Sequence, residues 1–194
     1  MNWDWDYSLF KLINDHANNV SWYGKLLVDA ANYGDYFFVI SLVVLWLFHH
    51  KMSVYGFVAG VGSVLLARFI SLFYFRNRPF VDHDVNQLLP HIDSNSFPSD
   101  HAAAAFAIAT MIYFFSKRTG WFFLVCAGLV SFSRIWVGKH YPFDVVCGTA
   151  LGIAFTVLIF RLLERFKPYE MAVGKWRAFR GHDEVEITGI DKSA

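Results

Sequence analysis

The chain has 194 residues, of which 56% are apolar, 19% aromatic and only 17% charged. Soluble domains average ~45–50% apolar and ~25% charged, so this composition excludes a disordered chain, a collagen, a nucleic-acid-binding arm and a disulfide scaffold. A soluble domain this small has too little interior for 21 Phe and 7 Trp, and the chain reads as a membrane protein. The net charge of +1 selects no partner by itself, so the placement of the charges carries the argument, and no nucleic-acid partner is expected.

The chain opens with acidic and aromatic residues, Trp3-Asp4-Trp5-Asp6, without the basic segment of a cleaved leader, so retention of the N-terminus is expected. Residues 3–16 mix Trp3, Leu9, Phe10, Leu12 and Ile13 with Asp4, Asp6, Lys11 and Asp15. This pattern predicts an interfacial amphipathic helix, and 21–32 is expected to form a second. Five charge-free runs follow, Tyr36–His50, Met52–Ala67, Ala102–Ser116, Thr119–Ser133 and Val145–Phe160. Each is shorter than the roughly 17–25 residues that a spanning helix needs. Extended over an ionisable residue at one end, they become spans of roughly 33–50, 52–75, 101–116, 119–138 and 144–163. The extensions take in Arg68, His101, Arg134 and Asp144, and ionisable residues at membrane depth point to function. Cys126 and Cys147 lie inside apolar runs and read as small buried hydrophobes.

The connectors orient these spans. Lys51 lies between the first two, Lys117-Arg118 between the third and fourth, and Arg161, Arg165, Lys167, Lys175, Arg177 and Arg180 follow the fifth. With five spans these segments share one side, which the positive-inside rule makes cytoplasmic. The expected organisation is all-α: interfacial helices over 1–32, a polytopic bundle of about five transmembrane helices over 33–165, and a basic cytoplasmic tail over 166–194. Oligomeric state is not legible.

This topology gathers Arg78, Ser99, Asp100, His101, Arg134, His140 and Asp144 near the outer ends of the spans. Arg offers phosphate oxygens a planar bidentate fork. Pro79 disfavours helix at Arg78. Phe97-Pro98-Ser99-Asp100-His101 opens a helix with Ser99 or Asp100 as its cap, and a helix N-terminus attracts anions. His140 and Asp144 stand four residues apart, so a carboxylate can bond one ring nitrogen and leave the other for nucleophilic attack. Each residue alone has a bland reading as a snorkelling arginine, a helix cap or an interfacial histidine. Their convergence on one face points to a phosphate-handling site.

Three segments, Arg78-Pro79, Pro98-Ser99-Asp100-His101 and Ser133-Arg134 through His140 to Asp144, resemble the three-part signature of the type 2 phosphatidic acid phosphatase superfamily. That signature reads K-x6-R-P, P-S-G-H and S-R-x5-H-x3-D. The resemblance covers roughly residues 30–165, and the third segment matches every defined position. Phe80, Phe97, the run Phe132–Gly138, Asp100 in place of Gly and the opening Ser8–Asn14 are also similar to the bacitracin-resistance subgroup of undecaprenyl-diphosphate phosphatases.

The resemblance implies roles. His140 would be the nucleophile that forms a phosphohistidine, Asp144 would orient it, and His101 would protonate the leaving group. Arg78, Arg134 and Ser99 would hold the phosphoryl oxygens, with no metal or other cofactor. The signature lysine falls at Ser71, so Arg68, one turn earlier, or Arg76 would supply the missing charge, and Asp100 would balance an arginine or tune His101.

The implied function is hydrolysis of undecaprenyl diphosphate at the outer face of a bacterial cell membrane, recycling a cell-wall carrier lipid and giving bacitracin resistance. Alternatives at this point are a phosphatase of phosphatidic acid, phosphatidylglycerol phosphate or short prenyl diphosphates, or a lipid phosphotransferase. A haem electron carrier using His101 and His140, and a vanadate-dependent haloperoxidase, fit less well.

Overall fold

The computed structural model describes residues 4–90 and 92–176. The chain divides into two compact units, Met1–Leu158 and Ile159–Ala194. The first contains α1 (Asp4–Asn14), α2 (Trp22–Phe48), α3 (His50–Ser71), the one-turn α4 (Pro79–Asp82), α5 (Asp100–Phe115), α6 (Lys117–Trp136) and the start of α7 (Pro142–Phe166). In the second, α7 finishes and residues 168–176 are helical. The tail expected over 166–194 is described only to residue 176, and the rest lies outside the described residues.

Among the described residues four helices, α2, α3, α6 and α7, are long and apolar enough to cross a membrane. The fifth, α5, has 16 residues and is about 24 Å long at 1.5 Å per residue. It is the most enclosed element, packed between α3 and α6. Ile108, Ala109 and Ile112 meet Phe38, Leu42, Phe123, Ala127 and Val130 in the main apolar core. Small residues at 102–105, 107 and 109 allow that enclosure, because helices approach closely in a membrane where side chains are small.

Three boundaries differ from the sequence expectations. Residues 21–32 do not form a separate helix. Ser21 caps α2 by accepting the Gly24 N–H at 3.1 Å, and no proline or cap interrupts the helix before Phe48. The second span ends at Ser71 rather than residue 75, because the Asn95 amide donates to the carbonyls of Ser71 and Tyr74 at 3.0 and 2.7 Å. The last helix begins at Pro142, whose missing N–H and fixed φ suit a first turn. Cys126 and Cys147 are half-buried rather than buried.

The amphipathic helix expected over 3–16 is present as α1, with an unusual distribution of faces. Phe10 is buried together with Asp6 and Asn14, spaced i, i+4, i+8, while Trp5, Leu9 and Leu12 are exposed. Phe10 packs on Ile135, Tyr141 and Val145. Asn14 donates to the carbonyls of Trp136 and Asn86, and it accepts the Asn86 N–H. The first helix therefore fastens the 72–99 segment to the ends of α6 and α7.

Two glycine positions shape the site end. Gly138, with φ +82°, turns the chain between α6 and α7 in a region where only glycine is unstrained. Gly148 lets α7 lie against the Ser99 carbonyl at the start of α5, where a Cβ would collide. This close approach sets the beginning of α7 beside the beginning of α5.

Candidate active site

The ends of α3 and α5, and His140 in the turn between α6 and α7, meet the segment 72–99 around a cavity of about 240 Å³, lined by Arg68, Ser71, Arg78, Asp100, His101 and His140 among others. That volume accommodates a phosphate or diphosphate group and excludes a long lipid tail. Ser99 and Asp144 are fully buried, and Arg134 is buried beside His101.

His140 is 2% exposed. It precedes α7, so it meets Asp144 across a turn rather than along a helix. Its Nδ1 lies 2.9 Å from the Ser96 carbonyl, which can only accept, so Nδ1 carries the proton and Nε2 keeps its lone pair. Arg78 Nη1 donates to that Nε2 at 3.1 Å. Burial first, then the charges of Arg78, His101 and Arg134, hold His140 well below the ordinary histidine value. The ring is thus neutral and lines the cavity, with its Nε2 lone pair held by Arg78.

Asp144 does not orient the ring by a direct bond, as the residue spacing suggested. It lies 3.9 Å from Nδ1, beyond hydrogen-bond range. Its Oδ2 accepts the Ser96 hydroxyl at 2.6 Å and the Tyr141 N–H at 3.0 Å, and its Oδ1 accepts Arg76 Nη1 at 2.8 Å. Ser96 mediates instead, its hydroxyl held by Asp144 and its carbonyl holding His140.

Arg78 is buried, and its fork is fixed by the carbonyls of Lys139 and Asn95 at 2.9 and 3.1 Å. Pro79 keeps Arg78 extended, at φ −74° and ψ 155°. Burial lowers the affinity of Arg78 for its proton, and Arg134 adds to this. Burial, Arg134 and Arg78 do the same to Lys139. Three desolvated cations therefore crowd one region, an arrangement that an anion relieves.

His101 Nε2 lies 3.0 Å from Asp35 Oδ2, and Arg134 Nη2 reaches the same carboxylate at 3.4 Å. The Arg134 Nε, the His101 Nδ1 and the Ser99 hydroxyl are buried without a hydrogen-bond partner. Buried polar groups are usually hydrogen-bonded, and of the four such orphans among the described residues only the Ser131 hydroxyl lies away from this cluster. Ser99 occupies the N-cap position of α5, but its hydroxyl makes no capping bond. Its N–H donates to the Asp144 carbonyl. Asp100 pairs with Arg68 Nε at 3.3 Å, which places Arg68 at the cavity mouth, exposed, beside Ser71 where the signature has lysine. Arg76 does not fill that position, because it is engaged by Asp144 and Asp6. Among the described residues no group of three His, Cys, Asp or Glu side chains could hold a metal ion.

Asp35, Ser96 and Asp6 were missed from the sequence. Asp35 had a signal, a lone carboxylate at the start of an apolar run. Ser96 had none, and Asp6 looked like part of a solvated helix face.

The PAP2 superfamily model matches residues 52–168. The chain belongs to the PAP2 superfamily. As a PAP2 protein it is 34% identical to "Undecaprenyl-diphosphatase BcrC" of Bacillus subtilis, over 84% of this chain and 87% of that one. It is also 34% identical to "Lipid A 1-phosphatase" of Rhizobium johnstonii, over 61% of this chain and 48% of the relative. Among solved structures, Aquifex aeolicus LpxE superposes with a TM-score of 0.72 at 28% identity, covering 80% of this chain and 94% of the other. The protein is a multi-pass membrane phosphatase of the PAP2 superfamily.

Proposed function

We propose that this PAP2 phosphatase hydrolyses undecaprenyl diphosphate to undecaprenyl phosphate and inorganic phosphate through a phosphohistidine, without a metal. The observation that carries this reading is the state of His140, a neutral ring lining the cavity whose Nδ1 proton is held by Ser96 while its Nε2 lone pair accepts from Arg78. Nε2 attacks the terminal phosphorus in line, and the bridging P–O bond breaks with its electron pair leaving on the lipid monophosphate. Arg78, Arg134 and the first turn of α5 at Ser99 stabilise charge on the equatorial oxygens. His101 donates a proton to the departing oxygen. Water then attacks the phosphohistidine phosphorus and gives its proton back to His101, and the N–P bond breaks with its electron pair returning to Nε2.

The similarity to the Bacillus subtilis undecaprenyl-diphosphatase favours a polyprenyl diphosphate. An apolar groove along α2, α3 and α5, lined by Val39, Leu42, Phe57, Val61, Leu65 and Ile108, runs up to Arg68 at the cavity mouth. It suits a tail that stays in the lipid while the head group enters. Lys51 and Lys117-Arg118 stand at the opposite ends of the helices from the cavity. By the positive-inside rule the cavity then faces outward from a bacterial cell membrane, where removing the diphosphate from bacitracin's reach gives resistance.

A second reading is a phosphatase of lipid phosphomonoesters such as a lipid A 1-phosphate. His101 at the cavity favours it, because an alkoxide leaving group needs an acid more than a phosphate does. Phosphate release by purified protein in detergent with chelator, across undecaprenyl diphosphate, lipid A, phosphatidic acid and phosphatidylglycerol phosphate, tests the assignment. Undecaprenyl diphosphate is expected to have the highest kcat/KM. A monoester preferred over it overturns the substrate, and loss of activity with chelator overturns metal independence.

A further inference from the structure

Asp6 lies outside the stretch that matches the family model, yet its side chain is fully buried. Its Oδ1 accepts the Phe143 N–H at 2.9 Å, and its Oδ2 accepts Arg76 Nη2 at 2.7 Å. The other arm of Arg76 reaches Asp144 at 2.8 Å, and its guanidinium lies 3.9 Å above the Tyr141 ring. Asp144 holds the Ser96 hydroxyl, and the Ser96 carbonyl holds His140. The N-terminal helix is thus linked to His140 by an unbroken buried chain of polar contacts.

The charges along this chain decide its effect. An Arg76–Asp144 pair alone would be neutral and would cancel the carboxylate 3.9 Å from the His140 ring. Burying a third charge is costly unless it is paired and hydrogen-bonded, and both Asp6 oxygens meet that condition. Two carboxylates against one guanidinium leave one net negative charge. When Nε2 of His140 bonds to phosphorus, the ring keeps its Nδ1 proton and becomes a cation, in a place already crowded by Arg78 and Arg134.

We propose that Asp6 is a positioning residue for phosphoryl transfer. By sharing Arg76 with Asp144, it keeps a net negative charge facing the phosphohistidine cation. The inference rests on the reading of His140 as nucleophile. No bond is made or broken at Asp6, and the P–O bond broken and N–P bond formed are those of the main reaction.

The test uses the full chain in detergent with a polyprenyl diphosphate. Asp6→Asn keeps an acceptor for Phe143, turns an NH2 toward Arg76 Nη2 and removes the charge, so kcat is expected to fall by at least on the order of tenfold at unchanged KM. Asp6→Asn combined with Arg76→Gln restores one net negative charge, and its kcat is expected to recover to about half of wild type. A purely structural role predicts the double variant to be at least as impaired as the single, and that result overturns the proposal. Should Asp6→Asn fail to fold, the double variant still decides. If it also fails to fold, or folds with kcat under about a tenth of wild type, the charge argument is refuted. His140→Ala separates the two readings. Turnover in that variant refutes the nucleophile, whereas an inactive His140→Ala beside a fully active Asp6→Asn refutes only the role of Asp6.

Discussion

Asp144→Asn exchanges a buried carboxylate for an amide of nearly the same shape, so its effect isolates charge and donor–acceptor matching. Asp144 accepts at both oxygens, from Arg76 at 2.8 Å, Ser96 at 2.6 Å and the Tyr141 N–H at 3.0 Å. An asparagine places an NH2 against Arg76 or against the other two donors, and either orientation opposes donor to donor. The net charge of the Asp6–Arg76–Asp144 cluster also falls to zero. Removing one partner of a buried pair costs about 3–5 kcal/mol, so the variant is expected to lose thermal stability as well as activity. Turnover should fall further than stability explains, because Ser96 loses the acceptor that holds its hydroxyl and the nearest counter-charge to the His140 cation disappears. The assay is a thermal melt in detergent with kcat measured well below the melting point. A melting temperature equal to that of wild type would refute the buried pairing, and normal kcat in a destabilised protein would refute its catalytic consequence.

Ser96→Ala keeps the carbonyl that holds His140 and loses only the hydroxyl, so it should reduce kcat less than Asp144→Asn does and cost about 1–3 kcal/mol of stability; equal losses in kcat would mean that the hydroxyl, not the carbonyl, controls the ring. Arg68→Ala removes an exposed ion pair with Asp100, so it should change stability by under about 1 kcal/mol while raising KM for the diphosphate, and an unchanged KM would exclude Arg68 as the substitute for the signature lysine at Ser71. His140 is held neutral in the fold and takes up a proton when unfolded, so stability is expected intact above ~6.5 and lost as pH falls below it, at up to ~1.4 kcal/mol per unit. Denaturation midpoints that stay level from pH 7 to 5 would contradict the buried neutral ring. With Cys126 and Cys147 replaced, Ile92→Cys should react with an impermeant thiol reagent on intact cells and His49→Cys only after lysis; the reverse pattern would invert the membrane orientation.

The helices were legible because apolar runs separated by Lys51 and Lys117-Arg118 allow few arrangements. Their boundaries were less so. The end of α3 depends on Asn95, more than twenty residues away, and the union of 21–32 with the first span depends on the lack of an interrupting signal. Within the site, the residues near His140 were expected because their types suit phosphate and their positions share the span ends. The bonds among them were not. His140 is held by a main-chain carbonyl that any residue at 96 would supply, so no side-chain pattern announces it. Asp35 and Asp6 act through partners far away in the chain, His101 and Arg134 for the one and Arg76 and Phe143 for the other, and a single aspartate in an amphipathic helix reads first as solvated surface. Asp144 was correctly placed near the ring and incorrectly bonded to it, because four-residue spacing gives proximity and the start of α7 at Pro142 sets the angle.

As the nucleophile, His140 carries the phosphoryl group between the two steps. Brief incubation with undecaprenyl diphosphate labelled with ³²P at the terminal phosphate, followed by quenching in alkaline detergent, tests it directly. The expected result is an acid-labile, alkali-stable label on the wild-type chain, mapped to the peptide that contains His140 and absent from His140→Ala. A labelled His140→Ala chain, or phosphate release by that variant at the wild-type rate, would remove His140 from the nucleophile role.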